Sequence, residues 1–333
     1  MLQTKKIVFG LIDLLFLILS FNIVTPLIYR ILPNNYQRTK VILEYLDSVI
    51  NDQNDSIAIF GSSIAMTGMN ADFMQKYFDN KYEVLNFSSV GQPIQESALY
   101  YTKLPENTKV VIQCIGLLSL ISEPTIPKPA AIAFAMYNYK LDKAIEYLLP
   151  LQSYSMLNES RLLINYKART FVKAGLSTLI VNILYDDAAG NSGERFSLKY
   201  PYIYPSNRSN TYEMHIGLIN QTYNLSNYKI NADCSDIIVN SSDYFSSRGI
   251  PFVLVIMPIS PDITSASKSE IEYALNTVKE SFANIPIVDC YSLLEPNEFY
   301  DAIHPNRTGG EKLSREVSQY VSEILAGAHL AAE

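Results

Sequence analysis

Short and nearly unbroken runs of apolar residues recur along the chain, and most of them lead into serine, glycine or proline. They lie at 56–63, 82–89, 109–116, 251–258 and 285–294. Strands that are buried on both faces have this pattern, whereas strands with one face in water alternate apolar and polar residues. The five runs therefore predict a parallel β-sheet that is covered on both sides.

Segments with the apolar spacing of amphipathic helices fall between or after these runs. They lie at 70–78, 234–248, 269–282 and 311–325. Alternating strands and helices are typical of α/β proteins in which helices cover both faces of a sheet. We predict a doubly wound α/β fold with a five-stranded parallel sheet, in the three-layer arrangement of flavodoxin.

The third and fourth predicted strands are separated by about 135 residues, which is far more than one crossover helix needs. We therefore place a long insertion at about 120–233. Its part at 130–185 is rich in Ala, Leu, Ile and Tyr, which predicts helices, whereas 195–212 is rich in Tyr, Pro and Ser, which predicts a loop.

The beginning of the chain has the length and composition of a membrane anchor. Residues 7–32 are mostly apolar and could cross a hydrocarbon core of ~30 Å as one helix. No site of the A-x-A kind follows, so a cleaved signal peptide is not indicated. We predict a single transmembrane helix within 1–34, a polar helical stem at 35–55 and an α/β domain at 56–330.

The charges that flank this segment do not decide which way it crosses the membrane. Lys5 and Lys6 precede it, and Arg30, Arg38 and Lys40 follow it closely. Positive charge favours the cytoplasmic side, but here it is nearly equal at both ends. The orientation stays open at this point.

Composition excludes several classes of protein. A chain with 48% hydrophobic and 18% charged residues is too apolar to be disordered. Its net charge is -7 and it has no run of Lys or Arg, so nucleic acid is not an expected partner. Its three cysteines, Cys114, Cys234 and Cys290, include no C-x-x-C pair, so neither a zinc site nor a disulfide framework is indicated, and no metal or cofactor is predicted.

A serine and a histidine stand where a hydrolytic site would need them. Ser63 directly follows the first predicted strand, at the edge of the sheet where α/β folds place their active sites. Asp301 and His304 are three residues apart, so one tight loop could present both side chains. Such a pair could supply the general base for Ser63 and the carboxylate that orients it.

Three blocks of the sequence resemble those of the SGNH, or GDSL-type, hydrolase superfamily. Residues 61–63 (GSS) resemble the first block, 86–91 (NFSSVG) the second and 301–309 (DAIHPNRTG) the last. The resemblance implies that Ser63 is the nucleophile, that Asp301 and His304 complete a triad, and that the backbone N–H groups of Ser63 and Gly91 form the oxyanion hole.

The G-x-S-x-G elbow of the general α/β-hydrolases is a competing interpretation, because 61–65 (GSSIA) departs from it only at the last position. Two features speak against it. The serine follows the first strand of the soluble part, and the acid and base share one short loop.

One block departs from the superfamily pattern. The third block supplies an oxyanion-binding asparagine, but residues 115–119 of this chain are IGLLS. The loss of one such donor can cost about two to three orders of magnitude in turnover. Gln113 and Ser119 are possible substitutes.

An anchored domain that lacks the third-block asparagine, and that has Ser62 where the first block usually has an aspartate, resembles the SGNH-like proteins that work beside membrane-bound O-acyltransferases. The resemblance implies a single-pass protein of the cytoplasmic membrane with its domain on the extracytoplasmic side. It also implies a multi-span acyltransferase partner and a polysaccharide or teichoic polymer as substrate. We expect a serine O-acyltransferase that transfers acetyl groups, with Tyr202 and Tyr204 as candidates to stack on sugar rings.

Two other functions are compatible with the same sequence. The domain could be a non-catalytic docking subunit of such a complex, as the missing asparagine suggests. It could also be a stand-alone anchored esterase or lipase, because transfer and hydrolysis use the same acyl-enzyme.

Overall fold

A computed structural model defines the fold of the chain. It describes residues 24–25, 27–28, 38–48, 54–122, 128–137, 143–149, 198 and 204–330. Of the predicted anchor at 7–32, only 24, 25, 27 and 28 fall within this set, so that prediction lies outside the described residues. Among the helices of the described part, none has the length and apolarity needed to span a bilayer.

The centre of the fold is a sheet of five parallel strands. The strands are β1 (Ser56–Phe60), β2 (Glu83–Asn86), β3 (Thr108–Ile115), β4 (Phe252–Ile256) and β5 (Ile287–Asp289). They are arranged in the order β2-β1-β3-β4-β5, with β1 paired to both β2 and β3. The predicted five-stranded parallel sheet is confirmed, and its strand order is that of the flavodoxin-like folds.

Helices surround the sheet. They are α1 (Arg38–Ser48), α2 (Ser63–Gly68), α3 (Ala71–Tyr77), α4 (Ile94–Tyr101), α5 (Lys128–Met136), α6 (Lys143–Leu148), α7 (Tyr212–Thr222), α8 (Ala232–Ser246), α9 (Lys268–Ser281) and α10 (Arg307–Leu330), with 3₁₀ turns at Leu117–Leu120 and Pro296–Glu298. The four helices predicted from apolar spacing correspond to α3, α8, α9 and α10. The predicted loop at 195–212 gives way to α7 at Tyr212.

The two faces of the sheet have separate apolar cores, because successive side chains of a strand point to opposite sides. Ile57 and Ile59 of β1 pack with α2, α3 and α10, whereas Ala58 and Phe60 pack with α1, α4, α8 and α9. The α/β domain therefore has three layers. The strands β1, β3 and β4 are buried along nearly their whole length, in agreement with their unbroken apolar sequences.

Helix α1 lies within the predicted stem at 35–55 and packs against the α/β domain. Ile42, Leu43 and Leu46 of α1 are buried in the core on the side of α4 and α8. Arg38 and Lys40, which were counted as charges flanking the anchor, are only 5% and 4% exposed. The apolar face of α1 is therefore covered by the same core that covers the sheet.

A buried acid joins α1 to α4. The hydroxyl groups of Thr39 and Tyr100 donate to Glu96 Oε1 at 3.0 and 2.9 Å. Burial raises the pKa of the Glu96 carboxyl from its ordinary value to about 7, although these two hydrogen bonds favour the ionised form. The carboxyl group is therefore protonated in mildly acidic solution.

This burial predicts a pH dependence of stability. The folded protein holds a proton on Glu96 that the unfolded chain releases above pH 4.5, so its contribution to the free energy of unfolding falls as the pH rises to about 7. Glu96→Gln should remove a decrease of about 3 kcal/mol between pH 5 and 8, as measured by urea unfolding of the full chain in detergent. Glu106→Gln, at an exposed position, is the control. An unchanged pH profile in Glu96→Gln would contradict the assignment.

Candidate active site

The chain turns sharply between β1 and α2, and Ser63 stands at this turn. Gly61 has a φ of +153°, and a Cβ at this position would lie 2.7 Å from the Ala65 Cβ and 2.9 Å from the Cys114 Cβ. Only glycine satisfies both constraints. Ser62 is the N-cap residue of α2, and Ser63 is its first helical residue. The local sequence therefore presents the Ser63 side chain at the carboxyl end of β1.

Ser63, His304 and Asp301 form a continuous hydrogen-bonded array. The Ser63 Oγ lies 2.9 Å from His304 Nε2. On the far side of the ring, His304 Nδ1 lies 2.8 Å from Asp301 Oδ2 and 3.0 Å from Oδ1. With Nδ1–H donating to the carboxylate, Nε2 is left to accept the hydroxyl proton of Ser63. The structure thus brings together the three residues that the sequence singles out.

The loop between Phe299 and Pro305 is closed by its own backbone. These two residues form an antiparallel bridge, and the Tyr300 N–H donates to the carbonyl of His304 at 2.9 Å. Inside the loop, Asp301 Oδ1 accepts the backbone N–H groups of Ile303 and His304 at 3.0 and 2.9 Å. The carboxylate therefore organises the loop that places the imidazole beside it.

The same contacts set the charge of Asp301. Burial alone would raise the pKa of its carboxyl group, but the hydrogen bond and charge of His304 and the two backbone N–H groups outweigh burial and lower the pKa. Asp301 is thus ionised throughout the neutral range. An ionised acceptor on Nδ1 stabilises the imidazolium that forms when His304 takes a proton.

Asn306 attaches this loop to the rest of the domain. Its side-chain Nδ2 donates to the carbonyls of Ser206 and Asn297 at 2.9 and 2.8 Å, and its Oδ1 accepts the Gly309 N–H at 3.1 Å. From the sheet side, the Ser260 N–H after β4 donates to the carbonyl of Ala302 at 3.1 Å. The loop is held by the insertion, the sheet and α10 together.

Gly91, the predicted second oxyanion donor, lies in the turn between β2 and α4. It is exposed, has a φ of +66°, and its N–H makes no hydrogen bond within the described part of the chain. The neighbouring Ser89 N–H donates to the carbonyl of Gly61 at 3.1 Å. The turn that carries Gly91 is therefore tied directly to the turn that carries Ser63.

The two substitutes considered for the missing asparagine are both engaged elsewhere. The amide oxygen of Gln113 accepts from the Tyr101 hydroxyl in the core, and its Nε2 donates to the carbonyl of Cys114 at 3.0 Å. The Ser119 hydroxyl donates to the carbonyl of Gly116 at 2.6 Å. The Ser119 hydroxyl has a single proton, so it would have to give up its bond to Gly116 in order to bind an oxyanion, and the Gln113 side chain is buried in the core.

Of the two tyrosines proposed to contact sugars, Tyr202 lies outside the described residues. Tyr204 stacks on Tyr300 with ring centroids 4.1 Å apart, and its ring lies 5.7 Å from that of His304. Tyr300 thus covers one face of Tyr204.

Sequence reasoning missed His215. Its Nδ1, on α7, lies 3.7 Å from Asp301 Oδ2, and about a third of the side chain is exposed. A protonated His215 would be a second cation beside the carboxylate. No spacing rule connects the two residues, and the only available signal was that the chain has just three histidines.

The described residues place a serine hydroxyl, an imidazole and a carboxylate at this site. Within the described ranges, no cluster of histidine, cysteine and acidic residues has the arrangement of a metal site. Cys114, Cys234 and Cys290 are buried free thiols. What the array provides is a serine hydroxyl with a general base at hydrogen-bond distance, which suits attack on a carbonyl carbon.

Two adjacent glycines, Gly309 and Gly310, test how tightly the loop that carries Asp301 and His304 is packed. A Cβ on Gly309 would lie 2.2 Å from the backbone oxygen of Glu298, whereas a Cβ on Gly310 would meet nothing closer than 3.4 Å. Gly309→Ala should lower the free energy of unfolding by about 1–3 kcal/mol. Gly310→Ala should be neutral or stabilising by up to ~1 kcal/mol, because alanine favours helix. Thermal unfolding of both variants would measure this, and equal effects would contradict the packing.

The chain matches no protein-family model and no curated protein sequence. What can be inferred about its function therefore depends on the residues of this site.

Proposed function

We propose that this protein is a membrane-anchored serine O-acyltransferase of the SGNH type. It works on the extracytoplasmic side, together with a membrane-bound O-acyltransferase, and transfers acyl groups, most simply acetyl, to a cell-surface polysaccharide or related polymer. The observation that carries the proposal is the array Ser63–His304–Asp301, with its contacts of 2.9 and 2.8 Å. The proposal is further supported by the resemblance of 61–63, 86–91 and 301–309 to the sequence blocks of the SGNH superfamily.

In the first half-reaction, Ser63 Oγ attacks the carbonyl carbon of the acyl donor while His304 Nε2 takes the hydroxyl proton. A bond forms between Oγ and the carbonyl carbon, and the carbonyl oxygen becomes an oxyanion. When the tetrahedral intermediate collapses, the bond to the donor breaks and His304 returns the proton to the leaving group. Asp301 stabilises the imidazolium in between.

In the second half-reaction, a hydroxyl group of the polymer attacks the acyl-serine. His304 accepts the hydroxyl proton, and the bond between Ser63 Oγ and the acyl carbon breaks. Ser63 then regains its proton from His304. Water could follow the same route, so transfer rather than hydrolysis requires that the polymer displaces water from the site.

The oxyanion is bound by the backbone N–H groups of Ser63 and Gly91. Ser63 begins α2, and the first N–H groups of a helix have no partner within it. The Gly91 N–H belongs to an exposed turn and makes no hydrogen bond within the described ranges. Preorganised donors of this kind are worth about two to three orders of magnitude each in turnover.

The position of α1 supports a role at the membrane. Residues 33–37 separate the predicted anchor at 7–32 from Arg38, and five extended residues span at most about 18 Å. Since α1 is packed into the core, the domain would be held against the bilayer rather than on a long stem. Such a placement suits an acyl group that arrives from a membrane-embedded partner.

A docking subunit is the second candidate, and one observation favours it. Gln113 and Ser119 are bound to other groups, so the third block offers no obvious replacement for the oxyanion-binding asparagine. In that case the domain would hold the polymer for its partner. The two candidates differ in what happens when the array is removed.

Ser63→Ala and His304→Ala should each abolish acylation of the surface polymer. The residues act as one unit, so the double variant should be hardly worse than either single one. Acyl content of the polymer would be measured in cells that carry each variant at matched abundance. Ser62→Ala is the matched control, because this neighbouring serine is the N-cap residue of the same helix and has no contact with His304 in the described part of the chain.

Near-normal acylation in both single variants would remove the catalytic proposal and leave the docking subunit. A docking role predicts only small losses, because each substitution would change polymer binding by about 1 kcal/mol. Loss of acylation in Ser62→Ala as well would point to damage of the turn rather than to lost chemistry.

The distance between anchor and domain should matter for transfer from a membrane partner. A flexible linker of 20 glycine and serine residues, inserted between Asn34 and Asn35, adds about 25 Å of root-mean-square reach. Polymer acylation should fall at least tenfold, while hydrolysis of a soluble acetyl ester by the purified protein should stay within about twofold, since the fold is unchanged.

The same linker attached after α10 serves as the control and should alter neither activity. Full polymer acylation with the linker between anchor and domain would contradict delivery from the membrane. That result would favour a stand-alone enzyme whose donor is soluble.

A further inference from the structure

The first two residues of α1 form hydrogen bonds to residues that flank the loop with Gly91. The Arg38 Nη2 donates to the backbone carbonyl of Asn86 at 2.5 Å, and the Thr39 hydroxyl donates to Glu96 Oε1 at 3.0 Å. Arg38 and Thr39 are 5% and 6% exposed, so these contacts are shielded from water. Asn86 is the last residue of β2, and Glu96 lies in the first turn of α4. The two hydrogen bonds therefore hold both ends of the loop that carries Gly91.

Asn86 links this loop to the helix of the nucleophile. Its Nδ2 donates to the carbonyls of Ala65 and Met69 at 3.1 and 2.9 Å, and its Oδ1 accepts the Ser88 N–H at 3.0 Å. The Asn86 side chain is fully buried. A shift of Asn86 would thus move the turn that leads to Gly91 and the helix that begins at Ser63 relative to each other.

The hydrogen bond from Arg38 to the carbonyl of Asn86 has a charged donor. A charged donor and a carbonyl form a shorter and stronger hydrogen bond than two neutral groups do. Burial lowers the pKa of the Arg38 guanidinium to about 10, which leaves it protonated at neutral pH. The guanidinium is therefore a constant donor under physiological conditions.

We infer that Arg38 and Thr39 are positioning residues of the active site, which set the placement of Ser63 and of the Gly91 N–H through Asn86 and Glu96. This inference rests on the proposed acyl-transfer function. Neither residue contacts Ser63, Asp301 or His304 within the described residues, so each acts through another group. Helix α1 then helps to position the active site, although it precedes all three sequence blocks.

Kinetics of the full chain in detergent would test this, with p-nitrophenyl acetate as the probe. Arg38→Met should lower kcat about 10- to 100-fold and change KM less than twofold, because a misplacement of about 1 Å at the reacting atoms can cost 10²-fold. Arg38→Lys should recover part of kcat. Thr39→Val should lower kcat by a smaller factor, and Thr39→Ser should restore it.

Lys40→Met is the matched control. Lys40 is a buried cation on the same helix, but its ion pair is with Glu44 at 3.6 Å. Its loss should leave kcat within about twofold of the wild type. Unchanged kcat in Arg38→Met, or an equal loss in Lys40→Met, would overturn the inference.

Hydrogen exchange provides a readout that needs no activity. Arg38→Met should speed exchange in peptides that cover 61–70 and 86–92, while β4 and α10 keep their wild-type rates. Uniformly faster exchange would show a merely structural role and overturn the inference. If the wild-type protein failed to turn over the ester, the proposed function would be contradicted. The exchange pattern would then decide by itself whether Arg38 positions the segments 61–70 and 86–92.

Discussion

Parallel strands force every strand-to-helix connection onto one edge of the sheet, and the candidate active site depends on this constraint. Ser63 follows β1, the turn with Gly91 follows β2, and the loop with Asp301 and His304 follows β5. The strand order reverses beside β1, where open α/β sheets leave a crevice for ligands. Groups far apart in the sequence can therefore meet through a hydrogen bond of 2.9 Å between Ser63 and His304.

The sheet was predictable because burial on both faces leaves a simple trace in the sequence. All five apolar runs became strands, and the four clearest amphipathic segments became helices. The triad was predictable for a related reason: Ser63 follows a strand, and an aspartate three residues before a histidine fits one loop. These signals are local, so a single sequence carries them.

Features that depend on tertiary contacts were not predictable. Arg38 and Lys40 were counted among the charges that flank the predicted anchor, but both are buried in the fold. Helix α4 was missed because its polar residues are buried, including Gln95 and Glu96. The approach of His215 to Asp301 follows from the path of the insertion, which no spacing reveals.

Two buried asparagines provide hydrogen-bond partners for backbone groups in the loops around the site. Asn86 uses its amide to satisfy two carbonyls and one N–H beside the turn that carries Ser63. Asn306 does the same for the loop that carries Asp301 and His304. An irregular loop leaves backbone groups without partners, and a primary amide can satisfy donors and acceptors at once. An aspartate of the same shape could not donate to the carbonyls, so the amide is what both turns require.

Under the proposed function, the backbone N–H groups of Ser63 and Gly91 would bind the oxyanion without an asparagine of the third block. Both belong to turns that the hydrogen bond from Ser89 to Gly61 joins, so their placement would not depend on the side chains of the third block. A site with fewer donors stabilises the tetrahedral intermediate less, and it would turn over adventitious esters slowly. An enzyme that receives its acyl group from a partner gains from such restraint, because the acyl group is delivered to Ser63 rather than captured from solution. The positions of Ser63 and Gly91 then matter more than the number of donors, which gives the contacts from α1 their weight.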